Sequence, residues 1–307
     1  MRFLLILFIS FSLTSFAQKG CLCKDAKNYN VLAIENDGSC LYKKTKTQPI
    51  WSKILDEKLH ETSGLIKWQD EFLTHNDDTE NWLYRLDPNS FEIKNKIELP
   101  TTENMDWEAI AQDSLFFYVG DFGNNNGSRQ NLCIYQISKH QWLLPSPIEK
   151  ISFEYGLQKT FEKAKRQNNF DCEAMVVKDS LIFLFTKNWL DQTTDVYYLP
   201  KQAGHHIAKH LINLPINGLV TDACLVNNNE IIICGYNKKL KPFIIKIKDF
   251  NGLDFSLVNL RRYKLKLPFH QIEGVFSHDG QEIWLTNEKF ERKGLISVPM
   301  KIHYIKL

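Results

Sequence analysis

The sequence predicts an all-β fold, a β-propeller of five four-stranded blades with six as the alternative, and three observations lead there. Aromatic residues make up 12% of the 307 residues, with 20 Phe and 11 Tyr, a composition suited to pleated, half-buried strands. Five segments then share one pattern: ETSGLIKWQDEFLTHND (61–77), DWEAIAQDSLFFYVGDF (106–122), DCEAMVVKDSLIFLFTKNW (171–189), VTDACLVNNNEIIICGYN (220–237) and QIEGVFSHDGQEIWLTNE (271–288). Each is a short apolar strand, a polar turn of hairpin chemistry and a second, more apolar strand. Finally, the anchoring positions Ser63, Glu108, Glu173, Asp222 and Glu273 are 45, 65, 49 and 51 residues apart. A recurring period of about 45–50 residues with four strands per repeat marks a propeller.

In chain order, Arg2, an apolar run and the small-x-small triplet Ser15-Phe16-Ala17 predict a secretory signal peptide over 1–17 and export to the periplasm, cell surface or medium. Gln18 stands where a lipoprotein signal at Cys21 would want Leu. No second apolar run of spanning length follows. Residues 18–45 form a short Cys/Asn/Asp-rich module in which an oxidising compartment would bridge Cys40 to Cys21 or to Cys23. A small cation loop around Asp37 is the alternative reading of that module.

The propeller domain is expected over 46–307. WLYRLD and EIKNKIELP supply further strands of the first repeat, DVYYLP and AKHLINLP of the third, FIIKIKDF and RRYKLKLP of the fourth. Leu99-Pro100, Leu214-Pro215 and Leu267-Pro268 close these repeats. The long spacing of 65 reflects an insertion at about 156–170, where Leu157, Phe161 and Ala164 stand at helical intervals. IWSKILDEKL (50–59) precedes the first repeat and would close the ring beside KIHYIKL at the end of the chain, in either order. A sixth blade would have to hide in 140–170, where only SPIEKISFEYG reads as a strand. Cys133, Cys172, Cys224 and Cys234 fall in apolar strand patterns and read as buried, inert thiols.

The chemistry resides in the strand ends. In a hairpin the start of the first strand and the end of the second share one end of the ring. One set there is Glu61, Asp106, Glu108, Asp171, Glu173, Asp222 and Glu273; the other is His75, Asn76, Asp77, Asp121, Lys187, Asn188, Tyr236, Asn237, Asn287 and Glu288. Residues i and i+2 of a strand point the same way, roughly 7 Å apart, and the first strand of a blade is innermost, so these acids should ring the channel mouth. A like-charged pair about 5 Å apart costs roughly 3 kcal/mol at an effective dielectric of about 20. A handful would rival the ~5–15 kcal/mol that holds a domain together. A wide wet funnel, trapped protons or a bound cation resolves this, and Ca2+, which takes six to eight oxygens in irregular geometry, fits best. The mechanical alternative has the acids accept backbone N–H groups of the next blade and lock the ring.

The same residues carry a resemblance. Glu61, Ser63 and Gly64, then Asp106, Glu108 and Ala109, then Asp171, Glu173 and Ala174, with the Gly120-Asp121 turn and Glu273-Gly274, make the region from about 55 to the end resemble the SdiA-regulated-type propellers and the related esterase-like phytase domains. That resemblance implies a five-bladed propeller with a calcium site built from such acids. The fourth repeat departs from it, with Val220 for the first acid and Asp222 where Glu is usual.

A net charge of +2 argues against a polybasic surface for nucleic acid or anionic membranes. Asp121-Phe122-Gly123 lacks every companion of a kinase active site. His205, His206 and His210 lack a third-ligand pattern and read as a surface loop. No Gly-x-Ser-x-Gly elbow is present. Trp189 beside the acids is the one Trp not explained by core packing alone. The primary expectation is therefore an exported, monomeric, calcium-binding propeller that takes a small-molecule or protein ligand at its acidic mouth. The alternative is a metal-assisted phosphoester or ester hydrolase with His75, Asp121, Lys187 and Glu288 as candidate catalytic residues. Against it stands the short supply of cations on that face, Lys187, Arg129 and Lys289.

Overall fold

The structure, a computed structural model, describes residues 18–78, 80–142 and 147–307; the leader expected at 1–17 lies outside the described residues. The chain divides after Lys43 into two compact parts. In the first, Cys21 is bridged to Cys40 and Cys23 stays a free thiol. Its Asn and Asp residues make turns: Asn30 Oδ1 accepts the Leu32 N–H and Asp37 Oδ1 the Ser39 N–H, as Asx side chains do where the chain reverses. Among the described residues no helix is long and apolar enough to cross a membrane.

The second part is all-β. Twenty of its strands fall into five groups of four, and Phe290–Arg292 with Ile296–Val298 make a separate hairpin. Thr62–Trp68, Glu71–Asn76, Trp82–Leu86 and Ile93–Glu98 make the first. Trp107–Gln112, Phe116–Asp121, Cys133–Ser138 and Glu149–Tyr155 make the second. The third is Cys172–Lys178, Leu181–Thr186, Thr194–Pro200 and Gly204–Leu214. The fourth is Leu219–Asn227, Glu230–Tyr236, Pro242–Lys248 and Asn259–Leu265, to which Thr45–Thr47 adds in parallel. Ile272–Ser277, Glu282–Asn287, Lys301–Lys306 and Trp51–Ile54 make the fifth.

The leading strands of the groups neighbour one another in a closed cycle. Between each adjacent pair lies its own apolar core: Ile110 and Val119 between the first and second, Phe153 and Met175 between the second and third, Phe185 and Ile233 between the third and fourth, Ile232 and Val275 between the fourth and fifth, Phe72 and Ile302 between the fifth and first. Each sheet is thus covered on both faces by its neighbours, which explains why its central strands read as near-continuous apolar runs. This is a propeller.

The ring is closed by Lys301–Lys306 as third strand and Trp51–Ile54 as the outer one. Two sequence expectations change. The stretch 157–164 is not helical: Leu157 is exposed, so the periodic residues have no face to bury, and the segment is held by Ala164 and Arg166 amides donating to Asn126 and Asn125 carbonyls. His205, His206 and His210 belong to the long strand Gly204–Leu214, not to a loop. That strand pairs in parallel with Glu149–Tyr155 and fuses the second and third groups into one eight-stranded sheet. Arg129, counted among the cations of the acidic face, has its guanidinium turned inward onto Asp121.

Candidate metal centre at the channel mouth

In three of the groups a β-bulge sets a glutamate. In the second group Ala109 pairs with Gly120 and Trp107 with Asp121, leaving Glu108 as the extra residue. The third group skips Glu173 between Cys172 and Ala174, and the fifth skips Glu273 between Ile272 and Gly274. A bulged residue leaves the ladder and its side chain is re-aimed, here toward the axis. In the fourth group the skipped residue is Thr221, while Asp222 pairs in register with Cys234. The alignment of Asp222 with the glutamates is therefore one residue off, and a one-residue slip changes which side a strand residue faces.

The glutamates meet in a cavity of about 230 Å³. Its walls carry Glu61, Asp77, Glu108, Glu173, Glu273 and Glu288 against only two cations, Lys187 and Arg166, with Trp189, Tyr236, Ser63, Asn125 and Gln271 completing them. Glu61, Asp77 and Glu288 approach most closely, each offering one oxygen within 4.8 Å of the other two. Burial, then the charges of Glu61, Asp78, Asp106 and Glu273, push Asp77 up to about 8, and its Oδ1 is buried without a hydrogen-bond partner. Burial and the neighbouring Glu273 and Glu61 hold Glu288 well above the carboxylate range. Glu108 is raised in the same sense by burial, then Glu173 and Asp106. Glu273 rises to about 7 through burial, although Lys187 and a Tyr236 hydrogen bond oppose it. Lys187 lies buried 2.9 Å from Glu173 and faces the Trp189 and Tyr236 rings at 5.3 Å each.

The other predicted residues stand just outside this cavity. Asp171 is fully buried, its Oδ1 accepting the Asn124 N–H at 2.5 Å and its Oδ2 the Trp189 indole N–H at 2.7 Å; it ties the third group to the second and orients Trp189. Asp222 Oδ2 accepts the Val275 N–H at 2.7 Å and ties the fourth group to the fifth, the mechanical role weighed for the acids. Asp106 sits beside Glu108 and is raised to about 6 by burial and the Asp171 charge. Gly123 lies so close to both that a Cβ there would be 2.4 Å from Asp106 Cγ and 2.6 Å from Glu108 Oε1. Asp121 pairs with Arg129 at 2.9 Å. His75 is buried against Trp107, its Nδ1 3.0 Å from the Asn76 carbonyl, and burial holds it down at about 4, neutral and away from the mouth.

Arg166 was not among the residues drawn from the sequence, and Asp77 was placed with the strand ends at the mouth but not named as a metal ligand or catalytic residue. Asp77 carried a signal, as the acid ending the second strand of the first repeat. Arg166 carried none, because only the backbone pairing of 164–166 onto 125–126 brings it to the cavity.

No protein-family model matches the chain, and no curated protein matches it. Among solved structures it is similar to the Myxococcus xanthus glutaminyl cyclase, at 10% identity and a TM-score of 0.46 over 86% of this chain and 98% of that one. It is similar to U3-55K at 10% identity and 0.43, over 85% and 100%, and to the WD40 repeats of RRP9 at 8% and 0.42, over 86% and 100%. The propeller assignment rests on the strand order and the closed cycle of cores.

Proposed function

We propose that this is an exported calcium-binding propeller whose acidic mouth binds a ligand, with Glu61, Asp77 and Glu288 as the core of the cation site. The observation that carries this reading is their spacing. Oxygens bound to one calcium at about 2.3–2.6 Å lie within about 5 Å of each other, and these three carboxylates offer oxygens within 4.8 Å. A hard cation would also give the buried Asp77 Oδ1 the partner it lacks. Glu108, Glu273 and the neutral oxygens of Ser63 and Gln271 line the same cavity and could complete an irregular shell. The disulfide Cys21–Cys40 supports an oxidising compartment, and the resemblance to SdiA-regulated-type propellers points the same way.

Binding has more support than hydrolysis. Bound calcium would polarise a ligand oxygen and hold it at the mouth. Yet Lys187 is committed to Glu173 and Arg129 to Asp121, which leaves Arg166 as the one mouth cation without an ion pair among the described residues. His75 is too buried to exchange a proton with a substrate.

Thermal melting in calcium and in chelator tests the site. A ligand at a hundred times its Kd stabilises by about 2.7 kcal/mol, so calcium should raise the midpoint by several degrees. Asp77→Asn should abolish most of that shift while leaving the chelated protein as stable or stabler. An unchanged midpoint in the wild type sinks the reading.

A further inference from the structure

A second cavity, of about 500 Å³, lies beside the first: Tyr236 lines the mouth and the next residue, Asn237, lines this one. Its walls carry Lys46, Lys241, Arg262, Lys264 and Lys266, no Asp or Glu, and an apolar remainder that includes Pro242, Leu267 and Pro268. The whole chain has a net charge of only +2, so the cations here are segregated, and the near-neutral total conceals them.

Strand geometry builds the patch. Arg262, Lys264 and Lys266 alternate along the end of the fourth group's outer strand, with Tyr263 and Leu265 turned inward and buried between them. Thr45–Thr47 adds alongside in parallel and sets Lys46 directly across from Lys264. Like charges directly opposite in a sheet are destabilising, and nothing in the packing asks for lysine at either position. Arg262 Nη1 donates to the Ile216 carbonyl and its guanidinium lies 3.8 Å from the Phe243 ring centre. Among the described residues no carboxylate pairs with it, and burial lowers its pKa to about 10. Buried lysines elsewhere in the fold do have acids: Lys187 has Glu173 and Lys246 has Glu230. Local conflicts of this kind concentrate at functional sites.

We propose that this cleft binds a small soluble polyanion, an organic molecule carrying two or more phosphate or sulfate groups on a compact, partly apolar frame. The volume matches small-molecule sites of about 300–1,000 Å³. The Arg262 fork suits bidentate contact with a phosphate or sulfate, and the lysines act as point charges around it. The apolar part of the lining takes the frame. A long polymer is not favoured, because a near-neutral molecule has no extended field to follow beyond the cleft.

Calorimetric titration with inorganic triphosphate, in chelator so that the mouth takes no part, tests this independently of the calcium site. The expected result is saturable one-to-one binding that weakens at least about tenfold in Lys264→Glu, as loss of a charge-assisted contact would give, and less in Lys264→Gln. Lys209→Glu, at an exposed position of the fourth strand of the third group, should leave it unchanged. If Lys264→Glu melts below the assay temperature, Lys46→Glu on the short added strand replaces it. Absent or unsaturable binding, or equal weakening in Lys209→Glu, overturns the proposal. So does binding confined to phosphatidic-acid vesicles or to single-stranded DNA, which would assign the patch to a membrane or a polymer.

Discussion

Two sets of acids stand a few residues apart around one ring, and their surroundings differ in kind. Asp121 and Asp171 are matched, by a guanidinium and by a backbone amide with an indole, and Asp222 is half matched: its Oδ2 takes a backbone amide while its Oδ1 is buried without a hydrogen-bond partner. These three fasten neighbouring strands or groups together. Asp77, Glu273 and Glu288 converge on a cavity with few donors; burial raises their pKa values, as it raises those of the first set. The difference teaches that identical chemistry one or two positions along a strand serves opposite ends. The matched acids hold the ring in shape, and the unmatched ones are those of the proposed cation site. In three of the groups the bulge decides which acid is which, by taking one glutamate out of register with the ladder.

The sharpest way to break this division is at the buried pair Lys187–Glu173, where Glu173 feels both Asp171 of the first set and Glu273 of the second. Lys187→Met leaves Glu173 buried beside Asp171 without its cation, and removing one partner of a buried pair costs about 3–5 kcal/mol. Denaturant melts should show that loss, and Lys187→Met with Glu173→Gln should recover a good part of it. A cost under about 1 kcal/mol would mean that the pair is not integral to the ring and that Lys187 is free to serve a ligand.

Asp222→Ala comes next, at about 2–4 kcal/mol, from an unpaired buried Val275 amide plus a cavity. Because Asp222 is a fastener, the cost should be the same in calcium and in chelator. Glu288→Gln should do the reverse, costing little in chelator and removing calcium's stabilising effect. Equal calcium sensitivity in the two variants would erase the distinction between the sets.

Much of this was legible in the sequence because repeats expose themselves. The strand openings anchored at Ser63, Glu108, Glu173, Asp222 and Glu273 recur 45, 65, 49 and 51 residues apart and Leu-Pro closes three of the repeats, so the propeller and the face bearing the acids follow from spacing once the insertion is allowed for. Register did not follow. Whether Thr221 or Asp222 is the bulged residue depends on how Leu219–Asn227 pairs with Glu230–Tyr236, and both alignments read equally well as text. The basic cleft was hidden for another reason: Lys46 and Lys264 are more than two hundred residues apart, and only the addition of Thr45–Thr47 to the fourth group brings them side by side. Net charge averages over the surface, whereas binding depends on where the charges gather.

The smallest effect, and the most specific to the contrast, is the pH dependence of stability. An acid whose native pKa is raised binds its proton more tightly when folded. Its contribution is therefore fully present below the unfolded pKa and lost as pH rises through the native one. Asp77 goes from 3.8 to about 8, Glu273 from 4.5 to about 7 and Asp106 from 3.8 to about 6. In chelator the melting midpoint should accordingly fall between about pH 5 and pH 8. Calcium, by holding mouth carboxylates ionised, should flatten that fall, so its stabilising shift should be larger at the higher pH. His303 works in the opposite sense. It is buried between Ser52 and Asn287 and held at about 3, below an ordinary 6.5, so its contribution is present above pH 6.5 and lost as pH falls. His303→Gln should soften the acid limb alone and leave the calcium-sensitive limb as it was. If the chelated protein instead grows steadily stabler from pH 5 to pH 8, the mouth carboxylates ionise at no cost, and the ring needs no cation to hold them together.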